Sequence, residues 1–173
     1  MKYFAILIVL VFIFSANLFA QDMMPPKPLE NKVLEAMVGE WTGVGDMMGM
    51  KWNETLKMEW ILNHQFVKLE MKMVAEGKPE MKYTSMCIYG VGMKGECLGW
   101  WFDEWGAVGV INGIGEFDYD KMSMHMVSKN QMYTDDRTIY FEGAKMLMKA
   151  TDIFKSPDGK EEKSEDKAEY TRK

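Results

Sequence analysis

Hydrophobic and polar residues alternate along most of the chain. In residues 52–60 every second position carries an apolar side chain or Glu54, and polar residues fill the positions between them. The same alternation recurs in residues 67–73, 122–126 and 145–149. A period of two over four to eight residues is typical of antiparallel strands that bury one face of their sheet. The pattern therefore predicts an all-β protein.

Short turn sequences separate these alternating runs. In residues 156–159, Ser-Pro-Asp-Gly, proline starts a turn and glycine accepts a positive φ. Similar breaks occur at residues 76–79, 90–95 and 118–121. We predict about nine or ten strands. Because so many meandering strands leave open edges unless their sheet closes, we predict an antiparallel up-and-down β-barrel, with a two-sheet sandwich as the alternative.

The N-terminus follows a different pattern. Residues 4–14 form an unbroken apolar run, which Lys2 precedes and a more polar stretch ending in Ala20 follows. This is the three-part pattern of a signal peptide, and the run is shorter than the roughly 20 residues that span a bilayer. We predict that residues 1–20 are cleaved. The mature protein would then be periplasmic or secreted and would have no membrane span.

A tether and a short helix are predicted before the first strand. Residues 21–28 contain three prolines and two methionines, a composition typical of an extended tether. Residues 29–38 carry apolar side chains at helical spacing, and Gly39 ends this helix. The folded domain is therefore predicted to cover residues 29–173.

The charge of the chain argues against nucleic acid as a partner. The 21 basic residues are outnumbered by 26 acidic residues, and no basic cluster is visible. Nucleic-acid binding requires a concentrated basic face. The alternating charges of residues 160–173 predict a solvated surface.

The sequence contains no motif of a known catalytic site, such as a nucleophile elbow, His-Glu-x-x-His or a phosphate loop. Two adjacent acidic pairs, Asp103-Glu104 and Asp135-Asp136, are candidates for acid–base chemistry. Neighbours on a strand point to opposite faces, so neither pair forms a dyad. We expect both pairs in loops or at a rim, and we predict that the protein is not an enzyme.

Gly39-Glu40-Trp41 follows the predicted helix and opens the first predicted strand. A short helix followed by Gly-x-Trp resembles the start of lipocalin-like (calycin) barrels, and residues 39–45 are also similar to the opening of nitrobindin-type haem barrels. Over roughly residues 30–173 the chain resembles a family of exported bacterial lipocalin-like proteins known only as a domain of unknown function (number 1579). Residues 60–67 resemble that family's junction between its second and third strands. The resemblance implies a lipocalin-like barrel, closed at one end by Trp41 with Arg172 packed across it.

The lipocalin-like resemblance also implies an interior pocket. The chain has 19 methionines and six tryptophans, which suit an adaptable apolar site. We predict that it binds a small apolar molecule, and the alternative is a filled barrel that acts as a protein-interaction domain. The residues predicted to line the pocket are Trp52, Met58, Trp60, Leu69, Met71, Trp101, Met124 and Met148.

Two metal-binding hypotheses compete with that prediction. Thioethers are soft ligands, and Met122, Met124 and Met126 share one face of a predicted strand, so they are candidates for a Cu(I) site. The resemblance to nitrobindin-type barrels implies haem held by a histidine on a late strand, and His125 is the candidate. Strand alternation turns His125 outward, and His64 falls at a strand junction. Both histidines are therefore expected at the surface or the rim.

Cys87 and Cys97 flank the turn predicted at residues 90–95. If that turn is symmetric about Gly92, the two cysteines lie opposite each other on neighbouring strands. Export would then permit a disulfide. The alternative is two reduced thiols in the core, and the sequence leaves both open.

Overall fold

The computed structural model describes residues 25–106, 111–156 and 158–173. Within them, ten antiparallel strands close into a barrel in which each strand pairs with its neighbours along the chain and the first pairs with the last. The predicted up-and-down barrel with a short N-terminal helix is confirmed. The elements are α1 (Lys32–Met37), β1 (Gly39–Met47), β2 (Met50–Ile61), β3 (Phe66–Ala75), β4 (Lys78–Val91), β5 (Cys97–Asp103), β6 (Ile111–Asp118), β7 (Ser123–Lys129), β8 (Tyr133–Glu142), β9 (Lys145–Lys155) and β10 (Glu161–Arg172).

The predicted signal peptide, residues 1–20, lies outside the described residues, as do the first four residues of the predicted tether. The helix is shorter than predicted because Asn31 caps it. The side-chain oxygen of Asn31 accepts hydrogen bonds from the backbone N–H groups of Val33 and Leu34, at 3.1 and 3.0 Å. None of the helical segments in the described residues is long and apolar enough to cross a bilayer.

Helix α1 covers one end of the barrel, which we call the closed end. Val33, Leu34 and Met37 project into the core from the helix and are completely buried. Trp41, at the start of β1, lies below them and donates a hydrogen bond from Nε1 to the carbonyl of Met37 at 2.8 Å. Arg172, near the end of β10, places its guanidinium 4.5 Å from the centre of the Trp41 ring. It also donates to two carbonyl oxygens of the helix segment, which ties the last strand to α1.

The turn between β4 and β5 separates the two cysteines. Val91 pairs with Cys97, and Cys87 pairs with Trp101, so the turn is centred two residues later than predicted. Cys97 is therefore offset from Cys87 by four positions along β4, about 13 Å at the usual rise of a strand. A disulfide requires Cα atoms within about 7 Å. The turn symmetric about Gly92, on which the disulfide alternative depended, is wrong, and both cysteines are free and buried, as in the other alternative.

Candidate functional site

A small cavity lies inside the barrel, and its volume is about 20 Å³. That is about enough space for one water molecule. Four methionines form much of its apolar wall, namely Met58, Met71, Met146 and Met148. Methionine has three rotatable side-chain bonds and adapts its shape easily. The cavity is therefore small in this conformation but enclosed by side chains that can move.

Five of the eight predicted lining residues border this cavity: Met58, Leu69, Met71, Trp101 and Met148. The other three are placed elsewhere. Trp52 is buried towards the end of the barrel opposite the closed end. Trp60 lies at the closed end, where its Nε1 donates to Glu35 of α1 at 2.8 Å. Met124 is buried beside Cys97, with its Sδ 3.9 Å from Sγ of Cys97.

Arg137 of β8 brings a charge to the cavity wall. Its Nε and Nη2 donate to Oδ2 of Asp135, at 3.1 and 2.7 Å. Its Cζ lies 5.3 Å from the centre of the Trp101 ring, which is a cation–π arrangement. Asp135 and Trp101 therefore hold the guanidinium in place beside the methionines.

Tyr170 of β10 and Glu54 of β2 form a second polar contact at the cavity. The Tyr170 hydroxyl donates to Oε2 of Glu54 at 2.5 Å. Burial raises the pKa of Glu54 above its ordinary value, although the hydrogen bond from Tyr170 opposes that shift. Gly45 of β1 makes room for this carboxylate, because a Cβ there would lie 1.9 Å from Oε1 of Glu54.

Besides Asp135 and Glu54, two more acidic side chains are buried towards the end of the barrel opposite α1. Asp152 of β9 accepts a hydrogen bond from the Tyr133 hydroxyl at 2.5 Å. Asp166 of β10 accepts one from Ser164 at 2.5 Å and one from the Met48 backbone N–H at 3.2 Å. Burial raises the pKa of Asp152 to about 8, with the hydrogen bond to Asp166 as the next cause. We call this region, defined by Glu54, Asp135, Asp152 and Asp166, the carboxylate end.

The carboxylate end buries more acidic side chains than its bonded cation can pair with, and burial favours the neutral forms of Glu54 and Asp152 by raising their pKa values. All four of its acids are buried, and Arg137 is the basic group bonded to one of them, Asp135. Two buried polar atoms in the described part of the barrel, Nε1 of Trp52 and Oγ of Ser85, have no hydrogen-bond partner. Buried charges and unpaired polar groups are costly in a core. A core that only stabilises the barrel would not need these buried polar and acidic groups.

Whether an acidic side chain is buried depends on the face of the strand that it occupies. Asp135 and Asp136 were both predicted to be loop or rim acids, but only Asp136 is outward, where its Oδ1 lies 2.7 Å from Nε2 of His125. Asp135 faces inward and is 3% exposed. The prediction of a solvated surface at residues 160–173 is also wrong in part, because Asp166, Ala168 and Tyr170 face the interior.

The predicted methionine trio does not occupy one strand face. Met122 lies in the turn before β7 with a φ of 49°, whereas Met124 and Met126 are buried on the inner face of β7. Within the described ranges, no group of three or more His, Cys, Asp or Glu side chains is arranged to hold a metal ion.

The haem hypothesis does not fit this interior. A cavity of about 20 Å³ has no room for a haem. His125 lies on the outer surface beside Asp136. His64 lies in the turn between β2 and β3, edge-on to Trp60 and 3.6 Å from Glu35.

No protein-family model matches the chain, and no curated protein matches it in sequence. Solved structures do match its fold. An S-type phycobiliprotein lyase from Guillardia theta is similar with a TM-score of 0.58 and 11% identity, over 82% of this chain and 91% of the lyase. A de novo designed fluorescence-activating β-barrel (TM-score 0.47, 10% identity) covers 83% of this chain and 100% of its own. A redesigned barrel, mFAP1, bound to DFHBI (TM-score 0.45, 9% identity) covers 82% and 100%. The likeness to the lyase supports the barrel fold, and membership of the domain-of-unknown-function family stays a prediction.

Proposed function

We propose that this protein binds one small molecule inside its barrel, outside the cytoplasm, and does not change it chemically. The observation that carries this proposal is the cavity at the junction between the methionine wall and the Arg137 side chain. An apolar body would lie against the methionines. A polar group at one end of the molecule would face Arg137 and the hydroxyl of Tyr170.

The polar half of the interior favours binding over a filled barrel. Replacing a buried ion pair by well-packed apolar side chains is often neutral or stabilising, so charges are not needed to fill a core. Here Arg137, Asp135 and Glu54 all lie beside or near the cavity. Their cost in stability is explained if they select and orient a ligand.

The size of the cavity sets the way in which a ligand binds. A volume of about 20 Å³ is far below the roughly 300–1,000 Å³ of ordinary ligand pockets. Entry therefore requires the methionine side chains to change rotamer and make space. We expect Met71 and Met148 to move, because they are among the methionines that line the cavity and are not fully enclosed.

A neutral, apolar fluorescent probe, N-phenyl-1-naphthylamine, tests this proposal. We expect saturable binding of one probe per protein. Met71→Trp fills the cavity and should weaken binding at least tenfold. Met93→Trp is the matched control, since Met93 lies fully exposed in the turn between β4 and β5. Equal binding by wild type and a folded Met71→Trp variant, or no binding by wild type, would contradict the proposal.

Export is tested separately by fractionating cells that express the whole chain. We expect the protein outside the cytoplasm, with Gln21 as its first residue. A full-length chain that stays in the cytoplasm would overturn this part of the proposal without affecting ligand binding.

A further inference from the structure

Sulfur atoms from two non-adjacent strands meet inside the barrel near the closed end. Cys97 begins β5 and Met124 lies near the start of β7, and both side chains are buried to 1% exposure or less. The Sγ of Cys97 and the Sδ of Met124 are 3.9 Å apart. Met126, on the same face of β7, is also buried.

A glycine lies between Cys97 and Met126 on the intervening strand β6. Cys97 pairs with Gly115 of β6, and Gly115 pairs with Met126 of β7, so the three residues lie in one row across three strands. Because Gly115 has no side chain, the groups on β5 and β7 can approach each other across β6. Met126 is fitted to two more glycines, since a Cβ at Gly99 or Gly113 would lie 2.5 or 2.6 Å from its Sδ.

We propose that Cys97, Met124 and Met126 form a binding site for one monovalent soft metal ion, Cu(I). The ligands would be the Cys97 thiolate and the thioethers of the two methionines. At metal–sulfur bonds of about 2.3 Å, sulfurs 3.9 Å apart subtend about 116° at the ion. This angle is close to that of three-coordinate geometry. Met126 would become the third ligand by rotating its flexible side chain away from Gly99 and Gly113, against which its Sδ lies in the metal-free protein.

The charge of the site selects a monovalent ion. A thiolate and Cu(I) together are neutral, so the pair can be placed in an apolar core. A divalent ion with the same three ligands would leave a net positive charge without a partner, which is costly in a buried position. Thiolate and thioether ligands also favour Cu(I) over harder ions.

Binding exchanges a proton for the metal. The Cys97 thiol loses its proton to solvent as the Cu(I)–sulfur bond forms, and no electron is transferred. Cys97 directly follows the exposed turn at residues 92–96.

The test is an anaerobic titration of the folded protein with Cu(I) against the competing chelator bicinchoninate, followed by native mass spectrometry. We expect one Cu(I) per protein and release of one proton for each ion bound. Cys97→Ser should weaken binding at least 100-fold, and Met124→Leu at least tenfold. Cys87→Ser is the matched control, because Cys87 is an equally buried thiol on the neighbouring strand.

Two outcomes overturn the proposal. One is a wild-type protein that retains no stoichiometric Cu(I), and the other is equal retention by Cys97→Ser. Circular dichroism confirms that each variant is folded, and Cys97→Ala replaces Cys97→Ser if the serine variant does not fold. X-ray absorption at the copper edge gives a second readout, with sulfur neighbours alone expected near 2.3 Å.

Discussion

The two ends of the barrel interior are built from opposite kinds of residue. At the closed end, Val33, Leu34, Met37 and Trp41 form a buried apolar cluster in which the Trp41 indole N–H has a backbone partner. At the carboxylate end, four acids are buried with one bonded cation, and two buried polar atoms of the described residues have no hydrogen-bond partner. Under the proposed function, we expect the closed end to supply most of the stability of the barrel and the carboxylate end to supply a polar surface for the ligand beside the cavity.

Removing the cation should have the largest effect. Arg137→Met leaves Asp135 buried without its two N–H donors, and breaking a buried ion pair in this way costs about 3–5 kcal/mol. We expect that loss in urea unfolding at pH 8. The double variant Arg137→Met with Asp135→Leu should recover most of it, because no unpaired charge remains. A single variant that loses under about 1 kcal/mol would show that the carboxylate end does not depend on this pair.

Truncation at the closed end should have the next largest effect. Met37→Ala leaves a cavity under α1, and deletions of this kind in a core cost about 3 kcal/mol. Met93→Ala makes the same chemical change at a fully exposed position and should alter the free energy of unfolding by under about 0.5 kcal/mol. The two unfolding curves test whether the closed end supplies stability. If Met37→Ala and Met93→Ala gave the same unfolding curve, the closed end would not supply the stability assigned to it.

The dependence of stability on pH should report on the buried acids of the carboxylate end and has the smallest expected effect. Because burial raises the pKa of Asp152 to about 8, the folded state binds more protons than the unfolded state between about pH 4 and 8. Stability should therefore fall as pH rises through that window. Asp152→Asn should reduce the slope and keep an acceptor for Tyr133, while Glu54, whose pKa is also raised, preserves part of it. Urea midpoints at pH 5 and pH 8.5 measure the difference, and equal slopes in the two proteins would contradict this account.

The alternation of residues was enough to predict the barrel, because a period of two is a local property that each strand carries by itself. The register of the turn at residues 92–96 was not predictable in the same way. A shift of the turn's centre by two residues preserves the alternation on both strands. It changes the residue paired with Cys97 from Cys87 to Val91. Of the two alternatives that the sequence left open, the structure therefore has the two reduced thiols and not the disulfide.

The apolar wall of the cavity was easier to predict than its polar side. Met58 and Met71 stand in strongly alternating strands, so their inward direction was visible. Arg137, Asp152 and Asp166 stand in strands where charges occupy both faces. One sequence feature did indicate buried acids: Glu54 occupies an inward position between Trp52 and Leu56. Asp135 in β8 and Asp166 in β10 occupy inward positions of the same kind. The contact between Cys97 and Met124 joins two strands that lie on either side of β6. The residue pattern of one strand does not predict such a contact.

Native mass spectrometry of the protein purified from its own host tests the central claim most directly, because it asks whether the barrel carries a molecule. We predict a one-to-one adduct of a small organic molecule that the Met71→Trp variant does not retain and the Met93→Trp variant does. Retention of the same adduct by a folded Met71→Trp protein would place the ligand outside the cavity. A bare protein mass, together with no binding of the apolar probe, would contradict the claim that the interior is a binding site.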